Sequence, residues 1–227
     1  MCRFNEEEYF PILNADDSEV GLKNFIFLFD YKLCDGKDSV AFLQELSDFY
    51  HVVRINNIRL SNSSKDWYAE LRADFLYKKK IVELGIVMQY ETAPTGLPCW
   101  QIVGVNGLEK IGYRDTTNRY AISPVQHESL FVELDDDFKR LTNEFSMFRG
   151  RNIELDALSY FFALVETGTL KFQGRVLTLF HFLDVPSYVF SVKYHARNIA
   201  NTGWLISDYE HVSNEEKQVY LKQLLGK

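Results

Sequence analysis

One phrase of this chain occurs twice, and it constrains the fold more than any other feature. Leu84, Ile86, Met88 and Tyr90 lead to Trp100 and Ile102, and Tyr188, Phe190, Val192 and Tyr194 lead to Trp204 and Ile206. In both places Trp follows Tyr by ten positions and Ile follows Trp by two, so a single offset of 104 superposes all six positions. Apolar residues at every second position mark strands with one buried face. Recurrence at a fixed offset predicts two copies of one structural unit. A chain of 227 residues has room for two units of about 110 residues, each able to bury a core. The repeat speaks to architecture only, because no specific chemical motif accompanies it.

The elements on either side of the phrase repeat in the same order. In the first half, Ser18 opens an expected helix over residues 18–33, and the apolar run Phe25–Phe29 before Asp35-Gly36 favours a buried helix, with a strand as the alternative. Asp38 or Ser39 caps a second helix whose apolar face carries Val40, Leu43, Leu46 and Phe49/Tyr50. From residue 51 the period becomes two. Ala69, Leu71, Ala73, Phe75 and Tyr77 alternate with Glu70, Arg72, Asp74 and Lys78, which predicts a strand with one wet face. Lys78-Lys79-Lys80 is a solvated hairpin turn, and the strands of the repeated phrase follow it. The second half has an expected helix over residues 135–148. A further helix is capped by Asn152, with Leu155, Leu158, Phe161, Phe162 and Val165 on one face and Gly168 at its end. Val176, Thr178, Phe180 and Phe182 then begin the strands. Ser213 and Glu216 form a capping box for a C-terminal helix carrying Val219, Leu221, Leu224 and Leu225. The polar stretch 113–129 divides a first unit, 1–112, from a second, 130–227. The earlier strands match at an offset of 105, Trp67 fits neither copy, and the second copy reads as having fewer strands.

Composition excludes several function classes. A net charge of −7 with no basic patch argues against nucleic acid. No apolar run approaches the roughly 18 residues of a spanning helix, which points away from membrane. Three widely spaced cysteines, Cys2, Cys34 and Cys99, form no disulfide framework or metal motif. The acidic N-terminus does not read as a secretory signal. Together these point to a cytoplasmic protein with reduced thiols. None of the five histidines stands at ligand spacing from another, so no metal site is expected. Nucleophile, phosphate-loop and dinucleotide fingerprints are absent, so no cofactor is expected either.

Helices followed by a long antiparallel meander that ends in a Trp-x-Ile strand resemble the NTF2-like (cystatin-like) α+β group, over residues 18–107 and 135–211. The resemblance implies two similar units, each with helices followed by a curved antiparallel meander around a cone, plus the C-terminal helix. It also implies that two copies in one chain pair internally as a pseudo-dimer. Isomerase-like (ketosteroid-isomerase or SnoaL-like) members would need a carboxylate and a hydroxyl inside the cone. The first-half candidates, Asp74, Glu83 and Tyr90, read better as two surface carboxylates and a core tyrosine. The densest polar feature is Lys193, His195 and Arg197 on one face of one strand, where the first copy has Gln89, Glu91 and Ala93. This strip suits an anionic ligand or an acidic partner. His181, among Leu179, Phe180 and Phe182, reads as a core histidine. The expectation is a non-catalytic binding or protein-interaction module. Its partner is a protein or a small apolar or anionic ligand, and Lys193, His195, Arg197, Tyr90 and Tyr194 are its candidate contacts. The alternative is a small-molecule enzyme or ligand carrier with a cone-shaped pocket.

Overall fold

The computed structural model describes residues 4–5, 17–61, 64–93, 95–113, 156–198 and 201–226. The expected helix at 135–148, the Asn152 cap and residues 114–129 lie outside these. The described chain is α+β. Helices α1 (Asp17–Ile26) and α2 (Ser39–Ile55) precede strands β1 (Trp67–Tyr77), β2 (Lys80–Thr92) and β3 (Pro98–Asn106). Helix α3 (Ala157–Glu166) precedes β4 (Leu170–Phe182), β5 (Tyr188–His195) and β6 (Gly203–His211), and α4 (Asn214–Leu224) follows. Each half thus has three described strands.

All six strands form one antiparallel sheet in the order β3-β2-β1-β4-β5-β6, so β1 and β4 join two meanders edge to edge. The outer hairpins share their register. Tyr90 faces Trp100 and Met88 faces Ile102 in one, and Tyr194 faces Trp204 and Val192 faces Ile206 in the other. Both hairpins carry a bulge at the same place, between Val87 and Met88 and between Ser191 and Val192. The extra residues are Val103 and Ser207, again separated by the offset of 104. The central strands do not follow the expected offset of 105. Leu71 lies opposite Ile86, and Phe182 lies opposite Phe190, so position by position Leu71 corresponds to Phe182. The two connections explain the slip. Tyr77 and Lys80 close a two-residue turn with positive φ at Lys78 and Lys79, whereas five residues link β4 to β5.

The helices cover one side of this sheet crosswise. Asp38 caps α2 by accepting from the backbone N–H groups of Val40 and Ala41. The buried stripe of α2 is Phe42, Leu46, Phe49 and Val53, while Val40 and Leu43 are exposed. This corrects the expected face by a rotation towards the larger side chains. The stripe joins Phe25 and Phe29 against Phe182, Tyr188, Phe190 and Ile206, which belong to the second meander. Phe49 is fully buried and stacks on Tyr188 with ring centroids 4.2 Å apart. Residues 28–30 extend the contact along β6, where Asp30 N–H donates to the Ile206 carbonyl and Ile206 N–H donates to the Leu28 carbonyl. Conversely, Phe161 of α3 packs on Ala73, Phe75, Leu84 and Ile86 of the first meander.

The other side of the sheet is covered over the first meander by α4. Its Ser213–Glu216 capping box forms as expected. Leu221, Leu224 and Leu225 pack on Tyr68, Val87 and Val103. Gly104 admits the helix end, because a Cβ there would stand 2.8 Å from the Leu225 backbone. The expected wet face of β1 is therefore dry at Tyr68 and Glu70, both buried. Over the second meander this outer side is open.

Candidate functional site

The open outer side of β4–β6 forms a polar cleft of about 670 Å³. Its composition follows from the residues that differ between the two outer hairpins at equivalent register positions. Val87, Val103 and Gly104 lie beneath α4, while their counterparts Ser191, Ser207 and Asp208 line the cleft. Gln89 and Glu91 likewise correspond to Lys193 and His195. Lys193, His195 and Arg197 thus reach one site, to which Asp30 and Lys32 contribute from the segment after α1.

Arg197 closes the outer end of the cleft. Its guanidinium donates to both Asp30 carboxylate oxygens at 2.7 and 2.8 Å, a bidentate geometry of the strong, charge-assisted kind. It also lies 4.8 Å from the Tyr31 ring centroid. Hydrogen bonding from Arg197 holds the Asp30 carboxyl below its ordinary range, although burial opposes this. Arg197 also donates to His195 Nδ1 at 2.8 Å. A guanidinium has no acceptor, so Nδ1 is the unprotonated nitrogen and Nε2 carries the proton. That Nε2 is buried, lies 3.4 Å from Asp30 Oδ2 and makes no well-directed hydrogen bond. Burial depresses the His195 pKa; Arg197, Lys193 and Lys32 add to the depression, and Asp30 opposes it.

A second charged group forms the inner end. Arg72 donates to both oxygens of buried Glu70 at 3.0 and 3.1 Å. Glu70 Oε2 is 3.2 Å from His181 Nε2, and His181 Nδ1 is 2.7 Å from the Tyr220 hydroxyl. Gly85 leaves room for this carboxylate, since a Cβ there would lie 2.9 Å from Glu70 Oε1. Burial alone would raise the Glu70 pKa, but hydrogen bonds from His181 and Arg72 outweigh it and bring the pKa to about 2. Burial and the charges of Asp208, Glu70 and Glu210 push the Tyr220 hydroxyl well above its ordinary value.

With Arg72 tied to Glu70 and Arg197 tied to Asp30, the cations left over are Lys32 and Lys193. Among the described residues neither has a carboxylate at ion-pair distance. Asp208 is the corresponding leftover acid near Tyr220. The cleft is therefore bipolar, with free ammonium groups at one pole and an acceptor-rich pole at the other. Among the described residues no group of three or more His, Cys, Asp and Glu is arranged to hold a metal ion.

Tyr90 and Tyr194 are not brought to this site. They alternate with the cleft residues and point to the helix side, Tyr90 between Trp67 and Trp100 and Tyr194 against Trp204. Sequence reasoning missed Asp30, Lys32, Glu70, Arg72 and Tyr220, and it placed His181 in the core without its partners. Glu70 and His181 are 111 residues apart, and His181 and Tyr220 are 39 apart, so no spacing could have joined them. The available signal was Glu70 and Arg72 alternating on one strand face and a tyrosine one turn from Leu224 on an amphipathic helix. Comparison of the chain with protein-family models, curated proteins and solved structures returns no match.

Proposed function

We propose that this protein is a non-catalytic binding module that holds a small acidic ligand in the outer-face cleft, with Lys193 and Lys32 receiving the acidic group. The observation that carries this reading is a pair of lysines with no carboxylate partner among the described residues, in an open polar cleft of an otherwise acidic protein. The cleft volume, about 670 Å³, lies in the usual range for small-molecule sites, which favours a compact ligand over a protein surface. The shared hairpin register and shared bulge support reading the chain as two copies of one unit, of the NTF2-like type its element order suggests, in which one outer face is covered by α4 and the other keeps a site. The free thiols of Cys34 and Cys99 support a reducing, cytoplasmic setting. An enzymatic reading is favoured by one specific observation, the hydrogen-bonded series Glu70–His181–Tyr220 at the cleft, which has the arrangement of an oriented base.

Calorimetric titration with succinate and with inorganic phosphate at low ionic strength tests the binding reading. The expected result is saturable binding of at least one probe, weakened at least tenfold by Lys32→Gln combined with Lys193→Gln and weakened by salt. Both lysines are solvent-accessible, and circular dichroism of the double variant confirms its fold. Absence of saturable binding, or binding indifferent to the two substitutions, would overturn it.

A further inference from the structure

The inner pole of the cleft has a fixed hydrogen-bond polarity. Glu70 is an ionised carboxylate held by two bonds from Arg72, and an ionised carboxylate only accepts. His181 Nε2 must therefore carry the proton it directs at Glu70. In the neutral imidazole Nδ1 is then left as an acceptor. The Tyr220 hydroxyl at 2.7 Å is then obliged to donate inward to Nδ1. What Tyr220 presents to the cleft is its oxygen lone pairs alone, next to the Asp208 carboxylate. Both groups ask a ligand for a hydrogen-bond donor.

We propose that the ligand is a small acid carrying a hydroxyl or amino group at its far end, with the acidic group at Lys193 and Lys32 and the donor group hydrogen-bonded to Tyr220. This rests on the anion-binding reading above and adds the specificity-determining residue. The two poles are close enough for one small molecule. Lys193 pairs with Leu179 on β4, two residues from His181, which strand geometry converts to a Cβ separation of about 8 Å. The inward series Tyr220–His181–Glu70–Arg72 selects by leaving unpaired acceptors under any ligand that lacks a donor, a penalty that discriminates more strongly than a merely absent contact.

The test compares straight-chain ω-hydroxy acids of three to six carbons with the matching unsubstituted, ω-methoxy and ω-amino acids, titrated calorimetrically at about pH 8. At one or more chain lengths the hydroxy or amino acid is expected to bind at least tenfold more tightly than the unsubstituted and methoxy acids. In Tyr220→Phe, which keeps the ring but removes the unpaired acceptor, that preference is expected to disappear, with the unsubstituted acid binding at least as tightly as in the wild type. Equal binding of hydroxy, amino and methoxy acids, or a preference that survives in Tyr220→Phe, overturns the proposal while leaving the anion site standing. Failure of every acid to bind overturns the anion site and this inference together.

Discussion

Glu70 shows how single residues carry the electrostatics of the site. A carboxylate buried without partners would be neutralised, since desolvation raises its pKa. Here Arg72 and His181 reverse the sign and leave it ionised down to about pH 2. The folded pKa lies below the ordinary 4.5, so the stabilisation is fully present above pH 4.5 and is lost as pH falls from there towards 2. Glu70→Gln removes a charged acceptor shared by two donors, and because Arg72 is half-exposed and can be rehydrated, the expected cost near neutral pH is about 2–3 kcal/mol. Denaturant unfolding of both forms at a series of pH values checks this: the difference should narrow as pH drops below 4.5. A difference independent of pH would mean that the carboxylate contributes only packing. None of this was legible from the sequence. Alternation correctly puts Glu70 and Arg72 on one face of β1, but it cannot say that a helix 150 residues on will cover that face.

At the scale of elements, period-two patterning located the strands well, because a buried sheet face forces alternation whatever packs on it. Helix faces were harder. α2 offers two overlapping apolar stripes, one through Val40 and Leu43 and one through Phe42, Leu46, Phe49 and Val53, and only the aromatic cluster on β5 decides between them. The relative register of the central strands also escaped the pattern, since a two-residue turn in one meander and a longer connection in the other shift it without disturbing alternation. The element most exposed to a single substitution is α4. Its C-terminal end approaches β3 at Gly104, and the Asn106 side-chain amide donates to the Leu224 carbonyl at 2.8 Å. Gly104→Ala puts a methyl group into the Leu225 backbone, and the neighbour is main chain that cannot swing aside. The expected outcome is a shifted or frayed last turn of α4 and a loss of roughly 1–3 kcal/mol. Amide exchange should then accelerate in α4 and at Tyr68 and Val87, with β5 and β6 unaffected. Unchanged exchange in α4 would contradict the seating of the helix on this glycine.

At the scale of the whole molecule, the helices that precede the first meander cover the second, and α3, which precedes the second, covers the first. The repeat in the sequence records the helix-facing positions of the two hairpins, and those are where packing demands likeness. The two hairpins differ on the opposite face, and there Lys193 and His195 stand at the register positions of Gln89 and Glu91 over an uncovered stretch of sheet. The cationic strip was readable because three residues lie within five positions. Its remaining partners come from the segment after α1, from β1 and from α4, and only the closed fold brings them together. The most direct measurement is a two-dimensional amide NMR titration of the full chain with succinate at low ionic strength. Saturable shifts are expected to concentrate at Lys32, Ser191, Lys193, His195 and Ser207, with Gln89, Glu91 and the helix-facing Tyr90 and Tyr194 unmoved. Shifts that scatter over the surface without saturating, or that gather on the aromatic helix-facing side, would contradict binding in the outer-face cleft.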